Sequence, residues 1–426
     1  MTNYTTDTYQ IKRDILHFSN KMSNCTRKPT QKLCQDMCYG ILSARNCFLS
    51  AVARQLKETE STKLNNTVDR LSNNLSKLDK EEIQKIKENY FKEVTKYLPE
   101  DYVVVLNDDT ELNKEYSKKL EDLCVIKDAS SQVDRLVNGY MVCEYAALSK
   151  DSKTPISLYS KVYSTSSRTF ISENHETLIG ENEVINLLEK TKRKPIFVRD
   201  RGYDANEYLA RDIKDDIKFV TRLKKNRSLL FKDKSRLLKD VALSRKGKIA
   251  TKLMYRGNNT ECYVSYTKVK LPAYKEKEVT LVTIHGLSDD DFPMMLLTNI
   301  DVKNKESAEY IVRLYFLRWR VEEYFKAKKA FNWENSLLRT IDSMNNLNLF
   351  LTLSMFYLTT IIEKMNTNLL SIIILEKANL LKDKLLVYLS AISTGVFEIL
   401  KYAKSGIRKW QDIESRDKYR QLCLKL

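Results

Sequence analysis

Two kinds of hydrophobic pattern divide the chain. Up to about residue 95, apolar positions recur at helical spacing, as in KLCQDMCYGILSARNCFLSAVARQL (32–56) and LSNNLSKLDKEEIQKIKENYFKEVTKYL (71–98). DYVVVLND (101–108) then brings a short, nearly continuous apolar run, as expected of a strand buried on both faces. GYMVCEYAALSK (139–150) and PISLYSKVYS (155–164) read as two more strands, ETLIGENEVINLLEKTK (176–192) as a helix and PIFVRD (195–200) as a strand. DANEYLARDIKDD (204–216) reads as a helix and IKFVTRLKK (217–225) as a strand.

That succession of three strands, helix, strand, helix, strand is the running order of an RNase H-like core. From about Arg236 to Asn299 the pattern is β-rich, with IATKLMYRG, ECYVSYTKV, EVTLVTIHG and FPMMLLTNI separated by turn residues such as Gly257-Asn258-Asn259. It reads as a meander inserted before the helix YFLRWRVEEYFKAKK (315–329), after which the chain is helical to its end. The predicted fold is α/β, an RNase H-like mixed sheet flanked by helices. The predicted divisions are a helical module whose basic residues fit a DNA-binding head (1–95), the first part of the core (96–235), the β-rich insertion (236–300), the second part of the core (301–375) and a helical C-terminal region (376–426), a candidate dimer contact.

In the helix 315–329, at about 100° per residue, Tyr315, Arg318, Glu322 and Lys329 fall at roughly 0°, 300°, 340° and 320°. Trp319 and Lys326 extend the same stripe, while Leu314, Leu317, Val321 and Phe325 form an apolar face. Taken alone, such a stripe is a solvated surface. Carboxylates elsewhere change that reading.

With 426 residues, the chain is too long for one ordinary core. Lys and Arg outnumber Asp and Glu by 73 to 56, giving a net charge of +17, which points to a polyanionic partner and first of all to nucleic acid. Membrane insertion is not expected. No signal-peptide pattern opens the chain, and polar Ser, Asn and Thr residues interrupt the uncharged run between Asp342 and Glu363. Eight irregularly spaced cysteines do not make a disulfide scaffold, and Cys34 and Cys38 read as small buried thiols rather than a zinc site. The cytoplasm is the implied compartment.

Asp108, with Asp109 next to it, and Asp200 close two of the predicted strands, and Glu322 stands on the later helix. Three hard oxygen donors on separate elements suit Mg²⁺. No G-x-x-x-x-G-K-[ST] loop is present, so no nucleotide cofactor is expected.

Tyr315, Arg318, Glu322 and Lys329 match the motif Y-x2-R-x3-E-x6-K at every spacing. In this the sequence resembles the DDE transposases of bacterial insertion sequences. LNDDTELNK resembles the family's first acidic motif, with the catalytic role on Asp108 rather than Asp109, and VRDRGYDANEYL resembles the second, with Asp200 as its acid. The resemblance spans roughly Asp101 to Arg339. It implies that Asp108, Asp200 and Glu322 bind two Mg²⁺ ions, for which Mn²⁺ substitutes. It implies cutting at element ends, then attack of the freed 3′-hydroxyl on target DNA, by a homodimer holding paired ends in the bacterial cytoplasm near the nucleoid. Tyr315, Arg318, Lys329, Lys326, Trp319, Arg222 and Lys224 are the expected DNA contacts. Some relatives carry a base-flipping tryptophan in the β insertion, where this chain has Met294 and Met295. A hairpin route therefore stays open. Two other readings remain: a catalytically silent DNA-binding descendant of a transposase, and an RNase H-like nuclease without strand transfer.

Overall fold

The computed structural model describes residues 4–58, 62–128, 133, 135–245, 247–255, 258–287, 292–364, 369–378, 388–403 and 405–407. Helices α1 (Tyr4–Met22), α2 (Lys28–Ala44), α3 (Leu49–Leu56), α4 (Leu64–Ser76) and α5 (Lys80–Val94) come first. Strands β1 (Tyr102–Asn113), β2 (Cys124–Lys127), β3 (Leu136–Leu148) and β4 (Pro155–Tyr163) follow. Next are α6 (Glu173–Glu189), β5 (Lys194–Arg199), α7 (Asn206–Lys214) and β6 (Lys218–Arg222). After them come β7 (Ser228–Phe231), β8 (Lys234–Leu237), α8 (Leu238–Leu243), β9 (Ile249–Tyr255), β10 (Asn258–Leu271), β11 (Tyr274–His285) and β12 (Met294–Thr298). The chain returns to helix in α9 (Lys305–Phe316), α10 (Trp319–Lys329), α11 (Ile341–Glu363), α12 (Leu369–Lys377) and α13 (Tyr388–Leu400).

The sheet has the RNase H-like order β4-β3-β1-β5-β6, with β1 antiparallel to β3 and parallel to β5, and β5 parallel to β6. The parallel pairs are joined through α6 and α7, as a parallel connection requires. β12 pairs antiparallel with β6, so β12, β11 and β10 continue the same sheet instead of forming a separate meander. The short pieces β2, β7, β8 and α8 were not anticipated from the sequence.

One face of the sheet is covered by α6. Gly180 permits the close approach: a Cβ there would stand 2.6 Å from Tyr145 Cε2 and 2.8 Å from Tyr159 Cε1. α10 and α11 cover the other face, where Asn345 Nδ2 donates to the Val162 carbonyl at 3.0 Å and Asn348 Nδ2 to Ser160 Oγ at 2.7 Å. These amides explain why an otherwise apolar helix contains asparagines. α11 is a buried central helix, and among the described residues no helix is long and apolar enough to cross a membrane.

The N-terminal helices do not stand apart. α1 and α2 pack on α11 and α13, and one buried apolar cluster runs from Ile11 through the sheet to Ile407. Thr8 Oγ1 donates to the Ile399 carbonyl at 3.2 Å, and Asn346 Nδ2 to the Leu75 carbonyl at 2.8 Å. Cys34 and Cys38 are buried free thiols inside this packing. Of the C-terminal stretch expected at a dimer contact, residues 379–387, 404 and 408–426, including Trp410, lie outside the described residues.

Candidate active site

Asp108 does not end its strand, as the apolar run had suggested. β1 continues to Asn113 because β3 goes on pairing with it as far as Asn113–Gly139. Side chains alternate along β1, so the neighbouring acids part. Asp109 turns to the α6 face, where it accepts from Tyr163 Oη at 3.3 Å. Burial raises it to about 6, against hydrogen bonds from Tyr203, Cys143 and Tyr163. Asp108 turns to the α10 face.

The helix expected over 315–329 is two helices. Leu317 and Arg318 keep right-handed dihedrals, but the Leu317 amide is shared between the Arg313 and Leu314 carbonyls, each at 3.2 Å, and the Arg318 amide bonds three residues back to Tyr315 at 3.0 Å. This tightened turn separates α9 from α10, so one helical projection does not hold across it. Tyr315 and Arg318 are buried rather than displayed on a stripe with Lys329. Tyr315 Oη donates to Asp200 Oδ1 at 3.0 Å, and burial followed by the Asp200 charge pushes the phenol up to about 12.

Arg318 is the hub. Its Nη1 lies 3.2 Å from Asp108 Oδ2 and its Nη2 2.9 Å from Glu322 Oε1. A guanidinium offers five donors in a rigid fork, which lets one side chain bridge two carboxylates. Asp200, just past β5, joins through Tyr315, and Arg222 Nη1 stands 3.9 Å from its Oδ1. Asp108 is raised to about 7, chiefly by burial; Arg318 opposes this, and the charges of Asp109, Asp200 and Glu322 add to it.

Other expected residues sit elsewhere. Lys329 Nζ lies 3.3 Å from Glu334 and 3.6 Å from Glu111 rather than with the three acids. Lys326 and Lys224 are exposed. Trp319 is 47% exposed beside Glu322's helical turn, with the Arg318 guanidinium 5.2 Å from its ring centre, whereas Trp333 is buried. Glu323 is paired with Arg320 at 3.1 Å.

A divalent cation fits this donor set chemically. The converging groups are carboxylates, the ligands hard cations prefer, and mutual repulsion among them is what a cation relieves. Among the described residues, however, no three His, Cys, Asp or Glu side chains stand close enough together to hold a metal ion. Arg318 lies between Asp108 and Glu322 and supplies the positive charge there.

Two buried ionic groups were missed in the sequence. Arg199, one residue before Asp200, pairs with Asp212 at 2.5 Å and Glu181 at 2.6 Å, all three fully buried. Lys328 pairs with Glu144 at 2.9 Å. A charge inside an apolar strand, as in PIFVRD and GYMVCEYAAL, was the available signal.

The family model of the transposase DDE domain matches residues 172–357. This span holds Asp200, Tyr315, Arg318 and Glu322, and leaves Asp108 on β1 outside it. Over that stretch the chain is similar to a transposase DDE domain, which supports a transposase. No curated protein matches the chain.

Proposed function

We propose that the protein is the transposase of a bacterial insertion sequence, cutting phosphodiester bonds at the element's ends and joining the freed 3′-hydroxyl to target DNA. One observation carries the reading: acids from β1, the end of β5 and α10 are drawn together around Arg318 and Tyr315. In this reading Asp108, Asp200 and Glu322 hold two Mg²⁺ or Mn²⁺ ions. When bound, such ions polarise the phosphate and stabilise the attacking and leaving oxygens.

The chain's own residues do the rest. Tyr315 holds the Asp200 carboxylate in one orientation through its hydroxyl. Arg318 neutralises Asp108 and Glu322 until an incoming phosphate offers its guanidinium a further partner, and charge-assisted bonds of that kind are strong. Arg222, Lys224, Lys326 and Lys329 supply further cations for the DNA backbone, contacts that position a duplex without reading its sequence. The exposed indole of Trp319 offers a flat apolar face to a nucleotide beside the acids. Two copies of the chain bring two ends together.

The test uses duplexes taken from the DNA flanking the coding frame, Mn²⁺ or Mg²⁺, and a supercoiled target plasmid. Metal-dependent nicks at the element boundary and end DNA joined to the plasmid are the expected products. Nicks without joining point to a nuclease, and binding without either product to a silent DNA-binding protein. Each of those results rejects the proposal.

A further inference from the structure

Six residues beyond Glu322 on α10, Lys328 is 1% exposed, and its Nζ lies 2.9 Å from Glu144 Oε2, itself fully buried. The same Nζ is 3.3 Å from Ser160 Oγ. Ser160 Oγ donates to Glu144 Oε2 at 2.7 Å, and Ser157 Oγ donates to Oε1. The rings of Trp333 and Tyr324 lie 5.0 and 5.6 Å from the ammonium. Nothing in the proposed chemistry uses this pair.

Its place in the sheet is what matters. Glu144 stands directly opposite Asp108 in the β1–β3 pairing, and Ser160 directly opposite Glu144 in the β3–β4 pairing. Directly opposed residues share a face. Asp108, Glu144 and Ser160 therefore form a row beneath α10, with Glu322 near the Asp108 end through Arg318 and Lys328 bound at the Glu144 end.

A buried ion pair is a weak source of stability, because desolvating both charges offsets their attraction, and apolar residues of similar volume often serve as well. What apolar contacts supply less well is register. If α10 slid along its axis by one turn, roughly 5.4 Å, the two charges would stay buried without each other, Glu144 keeping only the hydroxyls of Ser157 and Ser160. Apolar neighbours such as Val321 and Phe325 would find other apolar contacts at little cost.

We infer that Lys328 and Glu144 are a positioning pair that fixes the height of α10 over the sheet and so sets Glu322 opposite Asp108. This rests on the reading that Asp108 and Glu322 hold a metal together. Loss of outer residues that orient metal ligands weakens metal binding by about 10–100-fold, and a loss in that range is expected here.

The experiment titrates the full chain, without DNA, with Mn²⁺ followed by electron paramagnetic resonance, beside thermal unfolding by circular dichroism. The proteins are the parent, Glu144→Gln/Lys328→Met, Leu351→Ala as a core truncation in α11, and Asp108→Asn/Glu322→Gln. The Glu144→Gln/Lys328→Met protein should melt at or above the parent while its Mn²⁺ affinity falls. Leu351→Ala should melt lower with the parent's affinity. A Glu144→Gln/Lys328→Met protein with parental affinity overturns the inference, and so does one that melts well below the parent, which assigns the pair to stability. A parent that binds Mn²⁺ no better than Asp108→Asn/Glu322→Gln is a different result: it rejects the metal reading itself.

Discussion

At the scale of single residues, the two cations of the matched motif hold different positions. Arg318 is buried between Asp108 and Glu322, while Lys329 lies between Glu111 and Glu334. Both are proposed to reach DNA phosphate. Arg318→Ala and Lys329→Ala should each weaken binding to end DNA and flatten its salt dependence by roughly one counterion. Glu322→Gln removes a negative charge beside the DNA path, so metal-free binding should hold or tighten while cleavage stops. Gel-shift titrations across salt concentrations measure the first effect. Parental binding by both cation variants would leave Arg318 and Lys329 as partners of the protein's own carboxylates and not of DNA. The motif spacing was legible in the sequence because it counts residues. The burial of Arg318 and Tyr315 was not, since it arises where α9 gives way to α10 and acids from two distant strands approach.

At the scale of elements, apolar runs placed the central strands well. PIFVRD and IKFVTRLKK became β5 and β6 with small changes at their ends. The break between α9 and α10 left no trace in the sequence, because YFLRWR has neither Gly nor Pro and both junction residues keep right-handed dihedrals. The basic cluster KAKK reads as solvated, yet one of its lysines faces inward to Glu144. The far end of β1 is tied in a similar way. Lys114, 5% exposed, donates to the Ser336 carbonyl at 2.6 Å and so anchors the segment after α10. Burial, opposed by Glu334, lowers Lys114 from 10.5 to about 8. Folding therefore disfavours its protonated form, a penalty complete below about pH 8 and gone above about pH 10.5. Relative to Lys114→Met, which lacks this group, the parent should gain stability as pH rises across that window, by up to about 3 kcal/mol. Urea unfolding of both proteins at several pH values checks the sign. A difference that does not change with pH would contradict it.

At the scale of the whole molecule, the net charge of +17 and the α/β patterning pointed to the partner and the fold class. The sequence could not reveal that the first helices share a core with α11 and α13, because helical amphipathicity shows that a face is buried and not against what. The consequence is that DNA recognition by the N-terminal region, expected from its position, is best tested in the full chain, since a fragment ending near Pro99 would lack α11 and α13, on which α1 and α2 pack. The three acids gathered around Arg318 are the proposed catalytic centre. Its most direct measurement is Mn²⁺-dependent nicking of end DNA by the full-length parent, Asp108→Asn, Asp200→Asn, Glu322→Gln and Asp109→Asn, with folding checked by circular dichroism. The first three variants should fold and bind DNA but not nick, while Asp109→Asn, altered on the α6 face, should retain nicking. Nicking by folded Asp108→Asn, or its loss only in Asp109→Asn, would contradict it.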